Sequence, residues 1–291
     1  MIFDSDLDTS AATAYALQTT RALALTSSAG HAYTLYVAWP SGAAPVGGWP
    51  VVYMLDGETF GIAREIMRYQ VGGGPQPLVT PRVLVGIAYP GPSRRAADYG
   101  PAEAGRPHAF RRFLLDEVCP LIQRTFDVNA GQQTLMGHSI GGLFVLETLF
   151  EQFAQPSRGA FERYIASSPS VWWRDGHLPA AAQAFVDAAT ASVEVPHRDA
   201  TPPATGIAPI TLLLSAAQYD EALSPAEQAL PLVERDVLAH TRRTRRMVQG
   251  NRELADMLAR VPGLRVEFCE FERETHRSVW PRAIAHALRS D

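Results

Sequence analysis

Residues 137–142 read Gly-His-Ser-Ile-Gly-Gly, set between the apolar run ending in Leu135-Met136 and the apolar stretch Leu143–Phe153. A strand that turns into a helix within so few residues has no space for side chains on the inner side of the bend. Glycines flanking Ser139 relieve that crowding, while the serine must project outward. Such a turn belongs to chains in which strands alternate with helices.

The remaining periodicity agrees. Ala32–Pro40 alternates like an edge strand, and Pro50–Asp56 and Arg82–Tyr89 are continuous apolar runs expected as buried strands. Further strands are expected at Gln133–Met136, Tyr164–Ser167, Ile210–Ser215 and Leu264–Phe271. Phe110–Phe126 carries an apolar stripe at helical spacing, which Pro120 should kink or divide. Ala180–Pro209 begins as an Ala-rich helix and passes into a Pro- and Thr-rich loop, and Leu223–Leu258 is Arg-rich and helical. Strands alternating with helices imply a mainly parallel central sheet with helices on both faces, here with a partly helical cap. The length, 291 residues, lies at the upper end of what one core supports. One domain over 1–291 is therefore expected, with cap or insert segments at about 177–209 and 223–258. Ligands in such sheets bind beyond the carboxyl ends of the strands.

Composition excludes several chemistries. The 26 basic and 30 acidic residues leave a formal charge of −4, which provides no drive toward nucleic acid or an anionic membrane. Every basic residue is arginine, so no mechanism built on a lysine amine is available. Cys119 and Cys269 stand alone and are expected as two buried thiols, with no metal site signalled. No apolar run is long enough for a membrane span, and the N-terminus is acidic and polar. The expectation is a cytoplasmic protein, or a periplasmic one if a leader has been removed.

A serine hydroxyl needs a base within reach, and the base needs a third group to hold its tautomer. In a G-x-S-x-G chain of this class the order is Ser, then Asp or Glu, then His. His276 follows the last expected strand and precedes a terminal helix that Pro281 could start, so it is the candidate base for Ser139. His286 falls inside that helix, His177 reads as a solvent-exposed neighbour of two tryptophans, and His138 reads as support for the turn. The acid should follow Ile210–Ser215, where Asp220 is preferred and Glu221 is the alternative. Charge developing on a carbonyl oxygen needs N–H donors. Ile140, directly after the serine, supplies one, and Glu58 in the Leu-Asp-Gly-Glu segment is the candidate for the second.

With VVYMLDGETF, GHSIGG, SSPSVWW, RRMVQGNRELADML and ETHRSVWP in order between residues 50 and 281, the chain resembles the "Putative esterase" branch of the α/β-hydrolase superfamily. That branch holds enterobactin and salmochelin trilactone esterases and esterase D-like enzymes. The resemblance implies the α/β-hydrolase fold and hydrolysis of carboxylic esters without a cofactor, with Ser139 as nucleophile and His276 as base. The acid loop departs from the branch, reading Ala-Gln-Tyr-Asp where a Gly-Glu-x-Glu-like pattern is expected. The favoured substrate is a small-molecule ester of the ferric-siderophore (trilactone) type. A general carboxylesterase or an acyltransferase on the same machinery are alternatives, and a non-catalytic binding protein is the reading from another class. Arg64, Arg68 and Arg94, beside Arg95 and Arg174, are candidates to hold an anionic substrate, and Trp172 and Trp173 could stack on its rings or fill the core. Arg242–Arg246 is expected as a basic helix face.

Overall fold

A computed structural model describes residues 17–71, 79–100, 106–154, 161–194 and 210–289. Its strands are β1 (Thr20–Thr26), β2 (Ala32–Ala38), β3 (Trp49–Met54), β4 (Val83–Ala88), β5 (Val128–His138), β6 (Arg163–Ser167), β7 (Ile210–Ala217) and β8 (Leu264–Phe271). Its helices are α1 (Phe60–Val71), α2 (Arg95–Tyr99), α3 (Arg106–Arg112), α4 (Cys119–Thr125), α5 (Ile140–Ala154), α6 (Trp173–Glu194), α7 (Pro225–Gln228), α8 (Leu232–Arg245), α9 (Met247–Leu258) and α10 (Val279–Arg289).

The strands form one sheet in the order β1-β2-β4-β3-β5-β6-β7-β8, antiparallel across β1/β2 and β2/β4 and parallel elsewhere. The expected edge strand at Ala32–Pro40 is corrected: β1 lies outside it and pairs along its whole length, from Thr20 opposite Ala38 to Thr26 opposite Ala32. The alternation of Ala22 and Ala24 with larger residues in β1 is weak because the strand is largely exposed, so it carries little apolar signal.

Alternation of side chains across the pleat builds two cores. Val51, Tyr53 and Leu55 face one side with Leu135, Tyr164 and Leu214, beneath the α3–α4 segment, α5, α6 and α9. Val52, Met54, Leu84, Met136, Ile165 and Leu213 face the other side, covered by α1 and α10. The central strands are thus buried on both faces, which is why they read as unbroken apolar runs.

Pro120 does divide the Phe110–Phe126 stripe. Between α3 and α4, residues 113–118 widen into a π-helical turn in which Cys119 N–H donates to Leu114 O, five residues back. The wider turn accommodates a proline that has no N–H to donate and whose ring would crowd a regular turn. The two cysteines are free thiols, Cys119 buried as expected but Cys269 only half-buried.

In the Arg-rich region, α8 buries none of its side chains, and Leu232, Val233 and Val237 are exposed on it. Arg246, with φ of 46°, separates it from α9, which packs on α6, β7 and β8. The Pro- and Thr-rich loop at 195–209 lies outside the described residues. Among the described residues no helix is long and apolar enough to cross a membrane.

At the turn from β5 to α5, a Cβ on Gly137 would lie 2.5 Å from Gly141 O, while one on Gly142 would meet Pro169 Cβ at 3.1 Å. The first contact is far inside the closest approach that backbone allows, whereas the contacts at Gly142, with Pro169 and with Ser167 O at 3.1 to 3.3 Å, are relieved by a shift of a few tenths of an ångström. Gly137→Ala should therefore destabilise the fold by about 1–3 kcal/mol, and by more than Gly142→Ala, as read from urea-unfolding midpoints.

Candidate active site

Ser139 is the single residue between β5 and α5 and takes φ of 60°, a left-handed conformation that costs a non-glycine residue energy. The turn is held from the next strand: Ser139 N–H donates to Ser167 O at 3.0 Å, and Ser170 N–H donates to Ser139 O at 3.2 Å. His276 comes from the loop between β8 and α10, and Asp220 closes a single 3-10 turn directly after β7. Tyr219 N–H donates to Glu274 O at 2.9 Å, tying the two loops together. Ser139, His276 and Asp220 meet at the carboxyl edge of the sheet. His276 Nε2 lies 3.0 Å from Ser139 Oγ, and its Nδ1 lies 2.8 Å from Asp220 Oδ1.

Asp220 is buried, which by itself would raise its pKa. Hydrogen bonds from His276, from Ser168 Oγ at 2.6 Å and from Ala217 N–H at 3.1 Å outweigh burial and hold the carboxyl below its ordinary value. An ionised carboxylate only accepts, so the imidazole proton is held on Nδ1 and the lone pair of Nε2 faces the serine. Glu221, the alternative acid, is used elsewhere: its Oε2 accepts from Val248 N–H at 3.0 Å and Gln249 N–H at 2.9 Å, at the first turn of α9.

Ile140 is the first residue of α5, so its N–H has no partner four residues back within the helix. Glu58 is the middle residue of a single 3-10 turn, Gly57–Thr59, at the carboxyl end of β3. The preceding Asp56 has φ of 54°, and its carboxylate makes a paired contact with Arg95, at 2.8 Å to Nε and 3.0 Å to Nη2. The same Nη2 donates to His138 O at 3.2 Å, so one guanidinium fastens the Glu58 turn to the residue before Ser139.

A cleft of about 280 Å3 opens over the serine, lined by Ser139, His276, Ser170, Trp172, Tyr219 and the face of α8 that carries Leu238, Thr241, Arg242 and Arg245. Of the candidate substrate-binding residues only Trp172 lies here. Arg64 and Arg68 are corrected: they line a separate cleft with Trp39, Trp49 and Pro81, at the amino ends of β3 and β4 and away from Ser139. The reason is the run of α1, which carries successive residues away from the carboxyl end of β3 at about 1.5 Å each. Arg94 is corrected too, since it stacks 5.0 Å from the rings of Tyr33 and Tyr89 and donates to Ala32 O. Trp173 is half-buried against the core and does not line this cleft. The side chains of Arg174 and His177 lie outside the described residues. The residues missed in the sequence are Arg242 and Arg245. Their signal was present, because positions 238, 241, 242 and 245 fall at i, i+3, i+4 and i+7 on one helix face.

The ring of His138 packs 4.6 Å from His276 and 5.6 Å from Trp280, with Nε2 buried and without a hydrogen-bond partner among the described residues. Burial, with His276 adding to it, pushes its pKa down from 6.5 to about 3. The unfolded chain takes up this proton near 6.5 and the folded chain only near 3, so the contribution to stability is complete above 6.5 and is lost as pH falls across that interval, at up to about 1.4 kcal/mol per pH unit. Urea unfolding at pH 4.5 to 7 should show a shallower loss of stability in His138→Gln than in the parent chain.

Residues 26–203 match the family described as "Putative esterase". The ferri-bacillibactin esterase of Bacillus subtilis is 30% identical over 280 residues, covering 88% of this chain and 83% of that protein. The siderophore triacetylfusarinine C esterase of Aspergillus fumigatus is 28% identical over 288 residues, covering 89% and 88%. The crystal structure of the BES protein from Bacillus cereus superposes with a TM-score of 0.72 at 26% identity, over 95% of this chain and 96% of that one. The mainly parallel sheet is that of the α/β-hydrolases, and the chain belongs to the "Putative esterase" family of ester hydrolases.

Proposed function

We propose that this chain is a ferric-siderophore esterase, and that Ser139, His276 and Asp220 are its nucleophile, base and acid. One observation carries the assignment of roles: the continuous chain of hydrogen-bond distances, 3.0 Å and 2.8 Å, that links the serine through the imidazole to a buried carboxylate in an open cleft. The substrate class is supported by the two relatives, which match most of this chain and are named for their action on siderophores.

Ser139 Oγ attacks the ester carbonyl while His276 Nε2 takes the hydroxyl proton, and the imidazolium so formed is stabilised by Asp220. The carbonyl oxygen becomes an oxyanion that accepts from the N–H groups of Ile140 and Glu58. Collapse of the adduct breaks the bond to the alcohol oxygen, which leaves with the proton from His276. Water then gives a proton to His276 and attacks the acyl-serine, releasing the acid and restoring the hydroxyl. The Asp56–Arg95 pair keeps the Glu58 turn in register with Ser139 through both steps.

Ser139→Ala should abolish labelling by a fluorophosphonate and lower ester turnover by roughly 10^4-fold or more. Asp220→Asn should lower kcat by roughly 10^3- to 10^4-fold, because an amide no longer fixes the proton on Nδ1. Unchanged p-nitrophenyl ester turnover in Ser139→Ala would reject the nucleophile. For the substrate, ferric and iron-free trilactone siderophores should be ranked by kcat/KM beside simple short-chain esters. Preference for the simple esters would replace the siderophore reading with that of a general carboxylesterase.

A further inference from the structure

The segment after β6 touches both ends of the triad. Ser168, at φ of 41°, donates from its N–H to Ser215 O at 2.7 Å and from its hydroxyl to Asp220 at 2.6 Å. Two residues on, Ser170 N–H donates to Ser139 O at 3.2 Å, and Ser170 O accepts from Trp173 N–H at 3.1 Å. Between them, Pro169 O accepts from the buried side chain of Asn251 at 3.2 Å. The backbone of Ser170 is thus fixed from both sides, and with it the place of its side chain.

Ser170 is only 3% exposed yet borders the cleft, and its Oγ lies 3.3 Å from Ser139 Oγ. Among the described residues that oxygen is the one hydrogen-bond partner of its hydroxyl. Which serine donates follows from the protons available. With Asp220 keeping a proton on Nδ1 of His276, Nε2 can only accept, so the single hydroxyl proton of Ser139 points to the imidazole. Ser139 Oγ then presents only lone pairs to its neighbour, and the Ser170 hydroxyl is the donor.

We propose that Ser170 is a further catalytic residue, whose hydroxyl donates to Ser139 Oγ and stabilises the negative charge that gathers there while the serine proton is in transit to or from His276. The inference rests on the triad reading. At 3.3 Å the contact is longer than the roughly 2.8 Å of an ordinary O–H···O bond, so it contributes little while Ser139 is a neutral hydroxyl. A charged acceptor draws a donor closer and strengthens the bond. The gain therefore falls on the transition state rather than on the resting protein, which is the condition for a raised kcat. No proton leaves Ser170. In acylation its hydrogen bond follows Ser139 Oγ as the proton passes to His276 and the bond to the ester carbon forms. In deacylation it receives the same oxygen as that bond breaks and His276 returns the proton. The N–H groups of Ile140 and Glu58 serve the carbonyl oxygen, so Ser170 duplicates neither.

The test is Ser170→Ala in the full chain, assayed with a p-nitrophenyl ester and with a fluorophosphonate. The burst rate, which reads acylation, the steady-state rate and the labelling rate constant should each fall by roughly 10- to 100-fold. KM should stay within about threefold of the parent value, since the lost bond belongs to the transition state. The urea-unfolding midpoint should be no lower than that of the parent chain. Ser170→Cys refills the volume with a weak donor and should stay near the alanine variant. Rates within about threefold of the parent in Ser170→Ala, or a change confined to KM, would overturn the assignment. So would recovery in Ser170→Cys, which marks a packing role. Ser139→Ala, run alongside, separates the two readings. Loss of labelling there with full rates in Ser170→Ala rejects the Ser170 role alone, whereas retained turnover in Ser139→Ala rejects the triad itself.

Discussion

The backbone between β5 and α5 has no spare volume on its inner side, and much of the site follows from that constraint. Gly137, Gly141 and Gly142 stand where a Cβ would meet backbone, the Asp56 carboxylate or Pro169. Ser139 is thereby forced into a left-handed conformation that places its hydroxyl at the sheet's rim. The strain is offset by its neighbours: the 3.0 Å bond to Ser167 O comes from the last residue of β6 and the 3.2 Å bond from Ser170 N–H from the segment after it, so the sheet itself holds the turn. The same close approach brings the Asp56 turn against the start of α5, where a first-turn N–H is without an intrahelical partner.

Two carboxylates then do different work because their surroundings differ. Asp220 is buried yet ionised, because three donors converge on it, and this fixes the tautomer of His276. Asp56 is bound in a planar pair with Arg95, which also reaches the carbonyl of His138, so its charge serves position rather than proton transfer. Tyr99 completes this support, its hydroxyl oxygen accepting from Asp56 N–H at 3.3 Å.

What could be read from the sequence was what local pattern encodes. The apolar runs of β3, β4 and β7 announced buried strands, Pro120 announced a break, and the Gly-rich turn announced the position of Ser139. His276 and Asp220 could be located because chain order restricts which loops reach the carboxyl edge. β1 was hidden because a half-exposed strand of small residues carries little periodic contrast. The sequence preferred Asp220, but setting Glu221 aside required the third dimension, since neighbouring acids point in different directions and only the fold shows that Glu221 meets the first turn of α9. Arg64 and Arg68 were misplaced for the converse reason: nearness in sequence to the Leu-Asp-Gly turn did not reveal that α1 leads away from it. Arg242 and Arg245 stand about a hundred residues from Ser139, and only the packing above the sheet brings them over it.

The wall formed by α8 has a consequence for how such a protein diversifies. No side chain of that helix is buried, so its composition contributes little to the free energy of folding, while one of its faces borders the space above the serine. The proposed triad instead sits in turns and loops at the ends of β5, β7 and β8, where a Cβ on Gly137 would already collide with backbone. If the proposed triad carries the chemistry, the two sides of the cleft are under unequal structural restraint, and surface replacements on α8 can reshape the space above Ser139 without disturbing the turn that holds it.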